Sequence, residues 1–187
     1  MRNNLFCVGV TGHRNLKGCC LEHYKKEVYS LLVQLKERYK YLYILSALSD
    51  GADRLVVEEG MKLNIPFYAI LPLEIEDYSD DFDPFSTQEF HRLLEQAENI
   101  VITKKVISIE KASQRDLQYE ACGQDICDYS DVMISLWDEV SSNLRGGTSE
   151  TICYCLQNRN TIVYNMKVSR CGDVSNIKAQ FKQINTF

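Results

Sequence analysis

The chain has 187 residues, 45% of them apolar, which suffices for one well-buried core and falls short of two full domains. A formal net charge of -5 leaves no global attraction to duplex DNA or to an anionic membrane, and confines anion binding to local basic pockets. No segment reaches the roughly 18 uninterrupted apolar residues of a membrane span, and the N-terminus lacks a signal-peptide core, so a cytoplasmic location and no membrane partner are expected.

In chain order, the apolar run FCVGV (6–10) opens the pattern as a first strand, and Val28, Leu31, Leu32 and Leu35 then recur at helical spacing within 21–39. A second strand, YLYILS (41–46), precedes a helix that starts near Gly51 and turns Leu55, Val56 and Leu63 inward. PFYAIL (66–71) is the third strand. The acidic, aromatic stretch LEIEDYSDDFDPF (73–85) has no clear period, and reads either as a loop closing over a site or as an ordinary solvated loop. A helix over 86–98, the strand NIVITK (99–104), a helix over 113–129 and the strand DVMISLW (131–137) follow. The last pair is a helix over 149–158 and the strand TIVYN (161–165), after which the tail is weakly patterned, with room for one short helix.

Strands alternating with helices predict an α/β fold: a Rossmann-like, doubly wound, mainly parallel sheet with helices on both faces. We expect one domain over 1–187, with a core of about 5–166 and a tail of 167–187. Ligands in such sheets bind beyond the carboxyl ends of the strands.

Three strand-to-helix turns have the residues for that task. In the first, Thr11, Gly12, His13 and Arg14 combine a hydroxyl, room for close backbone approach and a guanidinium for phosphate. The second runs from Ser46 to Arg54. Here Asp50 and Asp53 read as a capping pair, whereas Arg54 is opposed by the helix dipole, a conflict that an incoming anion would resolve. Ser46, Gly51, Asp53 and Arg54 are its candidate ligand residues. The third turn follows Trp137 and Asp138: Gly146 and Gly147 expose amides, and Thr148 and Ser149 add hydroxyls at a helix start, a phosphate cradle in outline. Asp138 at a strand end suits a sugar hydroxyl, Glu150 is either a capping residue or a general base, and Trp137 reads as a core residue ahead of a base-stacking platform. The eight cysteines show no paired CxxC knuckles, so buried thiols and no metal are expected.

Together, TGHR (11–14), GADR (51–54), Trp137-Asp138 and GGT (146–148) resemble a bacterial branch of the SLOG superfamily of Rossmann-like proteins. That superfamily groups LOG-type phosphoribohydrolases with DprA-like proteins and nucleotide-sensing domains. PLEIEDYSDDF (72–82) and RDLQYEACGQDICDYSD (115–131) are similar too, so the resemblance spans about 5–165. It implies that GGT binds phosphate, that the first two turns line the same pocket, and that the chain forms homo-oligomers, dimers first. The hydrolases carry PGGxGTxxE. Here RGGTSET places Glu150 two residues after Thr148 instead of three, about 100° away around a helix, so Glu150 does not inherit the hydrolytic role directly.

The expected function is therefore binding of a small phosphate-bearing nucleotide or a nucleotide-derived ligand, NAD-derived ones included, as sensor or handler. No further cofactor is implied. Hydrolysis of a nucleoside monophosphate at its N-glycosidic bond is the enzymatic alternative, with Glu150 or Asp138 activating water. A third reading, single-stranded DNA binding, needs a basic face that the net charge disfavours.

Overall fold

The computed structural model describes residues 5–16, 20–107, 114–142, 145–159, 161–169 and 180–184. Their strands are β1 (Leu5–Gly12), β2 (Tyr41–Ser46), β3 (Phe67–Leu71), β4 (Asn99–Ile102), β5 (Val132–Trp137), β6 (Ile162–Lys167) and β7 (Phe181–Ile184). They form one sheet in the order β4-β3-β2-β1-β5-β6-β7. Every pairing is parallel except β6 with β7. The chain steps outward from β1 through β2 and β3 to β4, then crosses back to place β5 on the other side of β1. Carboxyl ends of β1 and β5 thus flank the point where strand order reverses, which is where a crevice opens in such sheets.

The helices are α1 (Leu21–Arg38), α2 (Ala52–Lys62), α3 (Ile75–Ser79), α4 (Pro84–Leu94), α5 (Gln114–Tyr129) and α6 (Thr148–Tyr154), the last continued by a π-helical turn, Cys155–Arg159. All six residues of β5 are buried, as the apolar run of a strand covered on both faces requires. On one face, Val8, Val10, Ile44 and Ile134 meet Tyr24, Val28 and Leu32 of α1 and Val56 of α2. Opposite them, Met133, Trp137 and Val163 pack with Cys122 and Ile126 of α5 and Ile152 of α6. Among the described residues no helix is long and apolar enough to cross a membrane.

Four local expectations are corrected. Residues 73–85 are neither a lid nor a solvated loop: α3 folds there, and Tyr78 and Phe82 bury against Phe90 with ring centroids 4.9 to 5.5 Å apart. Helix α4 starts two residues before the expected Ser86, because the Asp83 carboxylate accepts from the amides of Phe85 and Ser86 and Pro84 occupies the first helical position. In the tail, the described residues form strand β7 where a short helix was expected; 170–179 and 185–187 lie outside the described residues. Finally, Cys127 and Cys155 are joined as a disulfide between α5 and the turn after α6, where thiols were expected.

Candidate functional site

The first two turns are locked together by contacts that leave no room for side chains. Gly51 has φ 77°, and a Cβ there would lie 2.3 Å from the carbonyl oxygens of both His13 and Arg14. Next to it the Ala52 amide donates to the His13 carbonyl at 3.1 Å, and the Ala52 methyl occupies the space that a side chain on Gly12 would need. The His13 amide in turn donates to the Leu136 carbonyl of β5 at 3.0 Å. The glycines of TGHR and GADR are thus explained by two turns pressed against each other at the switch point.

His13 is buried, and its Nε2 sits 3.1 Å from the amide nitrogen and 3.0 Å from Oδ1 of Asp138. One ring nitrogen cannot serve both at once: neutral, it accepts from the amide; protonated, it donates to the carboxylate. In either state Asp138 ties His13 to the end of β5.

The third turn folds back on itself. Gly146, at φ 72°, sits so close to α5 that an added Cβ would be 2.5 Å from Cβ of Tyr119, and its amide donates to the Glu150 carboxylate. Ser149 is buried and bonds to Ser142 across the loop. Gly147 is the N-cap of α6 and makes no side-chain cap, and its φ of -84° suits any residue.

These turns surround a cavity of about 360 Å³. Of the residues singled out from the sequence, Thr11 to Arg14, Asp53 and Gly146 to Thr148 line it. Sequence reading missed Tyr78 of α3 and Tyr119, Cys122, Gly123 and Ile126 of α5, which complete the wall with Thr151. Their spacing on α5 (119, 122, 123, 126) was the available signal: one stripe of a helix in which polar residues interrupt the apolar ones. Asp81 holds this wall in place, accepting from Arg115 at 2.6 Å and from the Tyr119 hydroxyl.

Two charges face the cavity from known positions. The Arg14 guanidinium lies 5.7 Å from the Tyr119 ring centroid and has no hydrogen bond or ion pair among the described residues. Desolvation pulls its pKa down, but Tyr78, Tyr119, Asp81 and Asp53 more than offset this, so it stays charged. Asp53, 4% exposed, accepts from Ser46 Oγ at 3.3 Å and from the Ser49 amide at 3.4 Å. Burial pushes its carboxyl up to about 6, against the pull of those two hydrogen bonds, of Arg14 and of a further hydrogen bond from the Ala47 amide.

The remaining expected site residues face elsewhere. Arg54 was assigned to an incoming anion, but the protein supplies partners for its Nε and Nη1, Asp50 at 2.9 Å, Leu48 O at 3.0 Å and Ser86 at 2.9 Å, with Phe82 stacked 4.7 Å away, and leaves only the buried Nη2 without a hydrogen bond among the described residues. It is 5% exposed and fastens α2 to α4. Gly51 and Ser46 act one layer behind the cavity, Gly51 through its backbone and Ser46 by holding Asp53. Ser149 braces the loop. Of the two carboxylates assigned to catalysis, Glu150 is turned to the Gly146 amide, and Asp138 to His13 and the Val140 amide.

No family model matches the chain, and no curated protein matches its sequence. Solved structures do. DNA processing protein A (DprA) from Streptococcus pneumoniae superposes with a TM-score of 0.59 at 15% identity, covering 90% of this chain and 52% of that one. DprA from Helicobacter pylori gives 0.55 at 17% identity over 86% of this chain and 64% of that one. The fold is DprA-like. This chain spans between half and two thirds of those DprA chains, and identities this low carry the fold alone. The Helicobacter pylori structure concerns the single-stranded DNA binding mode of that protein. That corrects the expectation of a small-molecule partner with DNA set aside on net charge: a protein of the same fold binds single-stranded DNA, and the sum of charges over a surface does not decide what one crevice binds.

Proposed function

We propose that the cavity binds a phosphate-bearing nucleotide unit, its phosphate held between Arg14 and the Gly146-Gly147-Thr148 bend. One observation carries this reading. Arg14, an exposed residue on the cavity lining, presents a charged, planar fork that has no protein acceptor among the described residues, and a phosphate matches both its charge and its geometry. The bend adds donors: the first amides of α6 have no intrahelical partner, and Gly147 supplies no side-chain cap. Binding is favoured over N-glycosidic hydrolysis because Glu150 and Asp138 are engaged by neighbours.

Titration calorimetry of the full chain with AMP, CMP and a single-stranded oligodeoxynucleotide tests the proposal, the last included because a strand carries the same phosphates. Saturable binding of at least one probe is expected. Arg14→Gln removes a charge-assisted pair and should weaken it by about 2 kcal/mol, roughly thirtyfold. Gly147→Val should fold normally yet weaken binding more than Leu63→Ala does, because its side chain occupies the cavity at the bend. Undiminished affinity in Arg14→Gln, or no binding of any probe, overturns the reading.

A further inference from the structure

Asp53 is the unexpected group in a crevice read as a phosphate site. It is nine-tenths buried, lines the same cavity as Arg14, and is close enough for the two charges to influence each other. A second negative charge repels a phosphate, so its presence calls for something else in the ligand. Its protein hydrogen bonds are long: Ser46 Oγ and the Ser49 amide both reach Oδ2, at 3.3 and 3.4 Å, with the Ala47 amide as a further donor, whereas donors to a carboxylate ordinarily come within about 2.9 Å. Burial accordingly holds the carboxyl well above the usual carboxylate range. The cavity therefore offers one exposed cation with no protein acceptor among the described residues and one buried anion held by long hydrogen bonds, about 360 Å³ in all, enough for a single nucleotide unit.

A nucleotide answers both demands if its phosphate meets Arg14 and a nearby donor meets Asp53. The donors covalently closest to a 5′-phosphate are the sugar hydroxyls; base amino groups lie farther off and differ from base to base. We infer that Asp53 accepts a hydrogen bond from a free sugar hydroxyl, so that the site selects a nucleotide with an unblocked sugar edge. This rests on the phosphate reading above. Such a unit comes from two sources, a free nucleotide or the 3′-terminal nucleotide of a single strand, and an internal phosphodiester position with its 3′-oxygen esterified is disfavoured.

The test compares AMP, 2′-deoxy-AMP and 2′,3′-dideoxy-AMP on the wild-type chain and on Asp53→Asn, with inorganic phosphate as a fourth probe. In wild type, loss of both hydroxyls should weaken binding at least tenfold. Asp53→Asn should narrow that ratio to about threefold or less and at the same time tighten inorganic phosphate, because a repelling charge is gone. A merely structural role would not move these two readouts in opposite directions. Oligodeoxynucleotides ending in a 3′-hydroxyl or a 3′-phosphate separate the sources: discrimination between them supports strand ends, and discrimination among the mononucleotides alone supports free nucleotides. If 2′,3′-dideoxy-AMP binds as tightly as AMP and still depends on Arg14, the hydroxyl inference falls and the phosphate reading stands. If neither the nucleotides nor phosphate bind, both fall.

Discussion

Gly51→Ala is expected to destabilise the protein by about 2–6 kcal/mol, a large fraction of the stability of a typical domain. Two terms add. The backbone at Gly51 has φ 77° and ψ -112°, a region that side-chain-bearing residues occupy only under strain of about 1–3 kcal/mol. Beyond this, the new methyl would sit 2.3 Å from two carbonyl oxygens, and backbone cannot step aside as a side-chain tip can, so overpacking contributes about 1–3 kcal/mol more. Gly60→Ala is the internal control. There the added methyl meets the terminal carbon of Ile44, which can rotate, and the helix gains propensity. Urea unfolding midpoints should fall steeply for the first variant and by far less for the second. Equal midpoints would mean that the TGHR and GADR turns are not locked as described.

Asp53→Asn should act in the other direction and stabilise the ligand-free chain by about 3 kcal/mol at pH 8. Burial, the largest influence, lifts the carboxyl from 3.8 to about 6, against the hydrogen bonds of Ser49 and Ser46 and the charge of Arg14. A carboxyl with a raised folded-state pKa binds its proton more tightly folded than unfolded. The contribution of Asp53 to wild-type stability is therefore most favourable below about pH 4, falls as the pH rises through the window between 3.8 and about 6, and stays level above it. The gain from asparagine should follow the same curve, vanishing below pH 4 and reaching its full size above pH 7. Denaturant unfolding of both proteins between pH 4 and pH 8 measures it. A variant less stable than wild type at pH 8 would show that the ionised carboxylate is well served by its surroundings, which would also weaken the case for a hydroxyl partner.

The sheet was largely legible because its central strands are continuous apolar runs bounded by turn residues, and a fully buried β5 can be written in few other ways. Strand β7 was not: FKQI mixes two polar with two half-buried residues and is defined by its antiparallel pairing with β6, a contact that local pattern does not encode. The acidic stretch before α4 hid α3 for a similar reason, since Tyr78 and Phe82 are ordered by a distant aromatic neighbour, Phe90, and by α5. At the site, glycines and the residues beside them were visible as turns. Which arginine faced inward was not. Arg14 and Arg54 follow similar glycine turns, and only the position of Asp50 and Ser86 shows that one is consumed by the fold while the other is left over. Helix α5 escaped notice as a wall because its lining stripe, Tyr119 to Ile126, contains a glycine and a cysteine among charged residues and carries little amphipathic contrast.

The cavity walls come from segments as far apart along the chain as Val10 and Thr151, with α3 and α5 between them. No fragment holds the whole lining, so an occupant recognises the native state and has nothing comparable to grip in the unfolded one. Occupancy and melting are then thermodynamically linked: a compound present at a hundred times its Kd would raise the unfolding free energy by about 2.7 kcal/mol, whatever its chemistry. A thermal-shift screen of metabolites therefore reads out occupancy of this crevice without a reaction to follow.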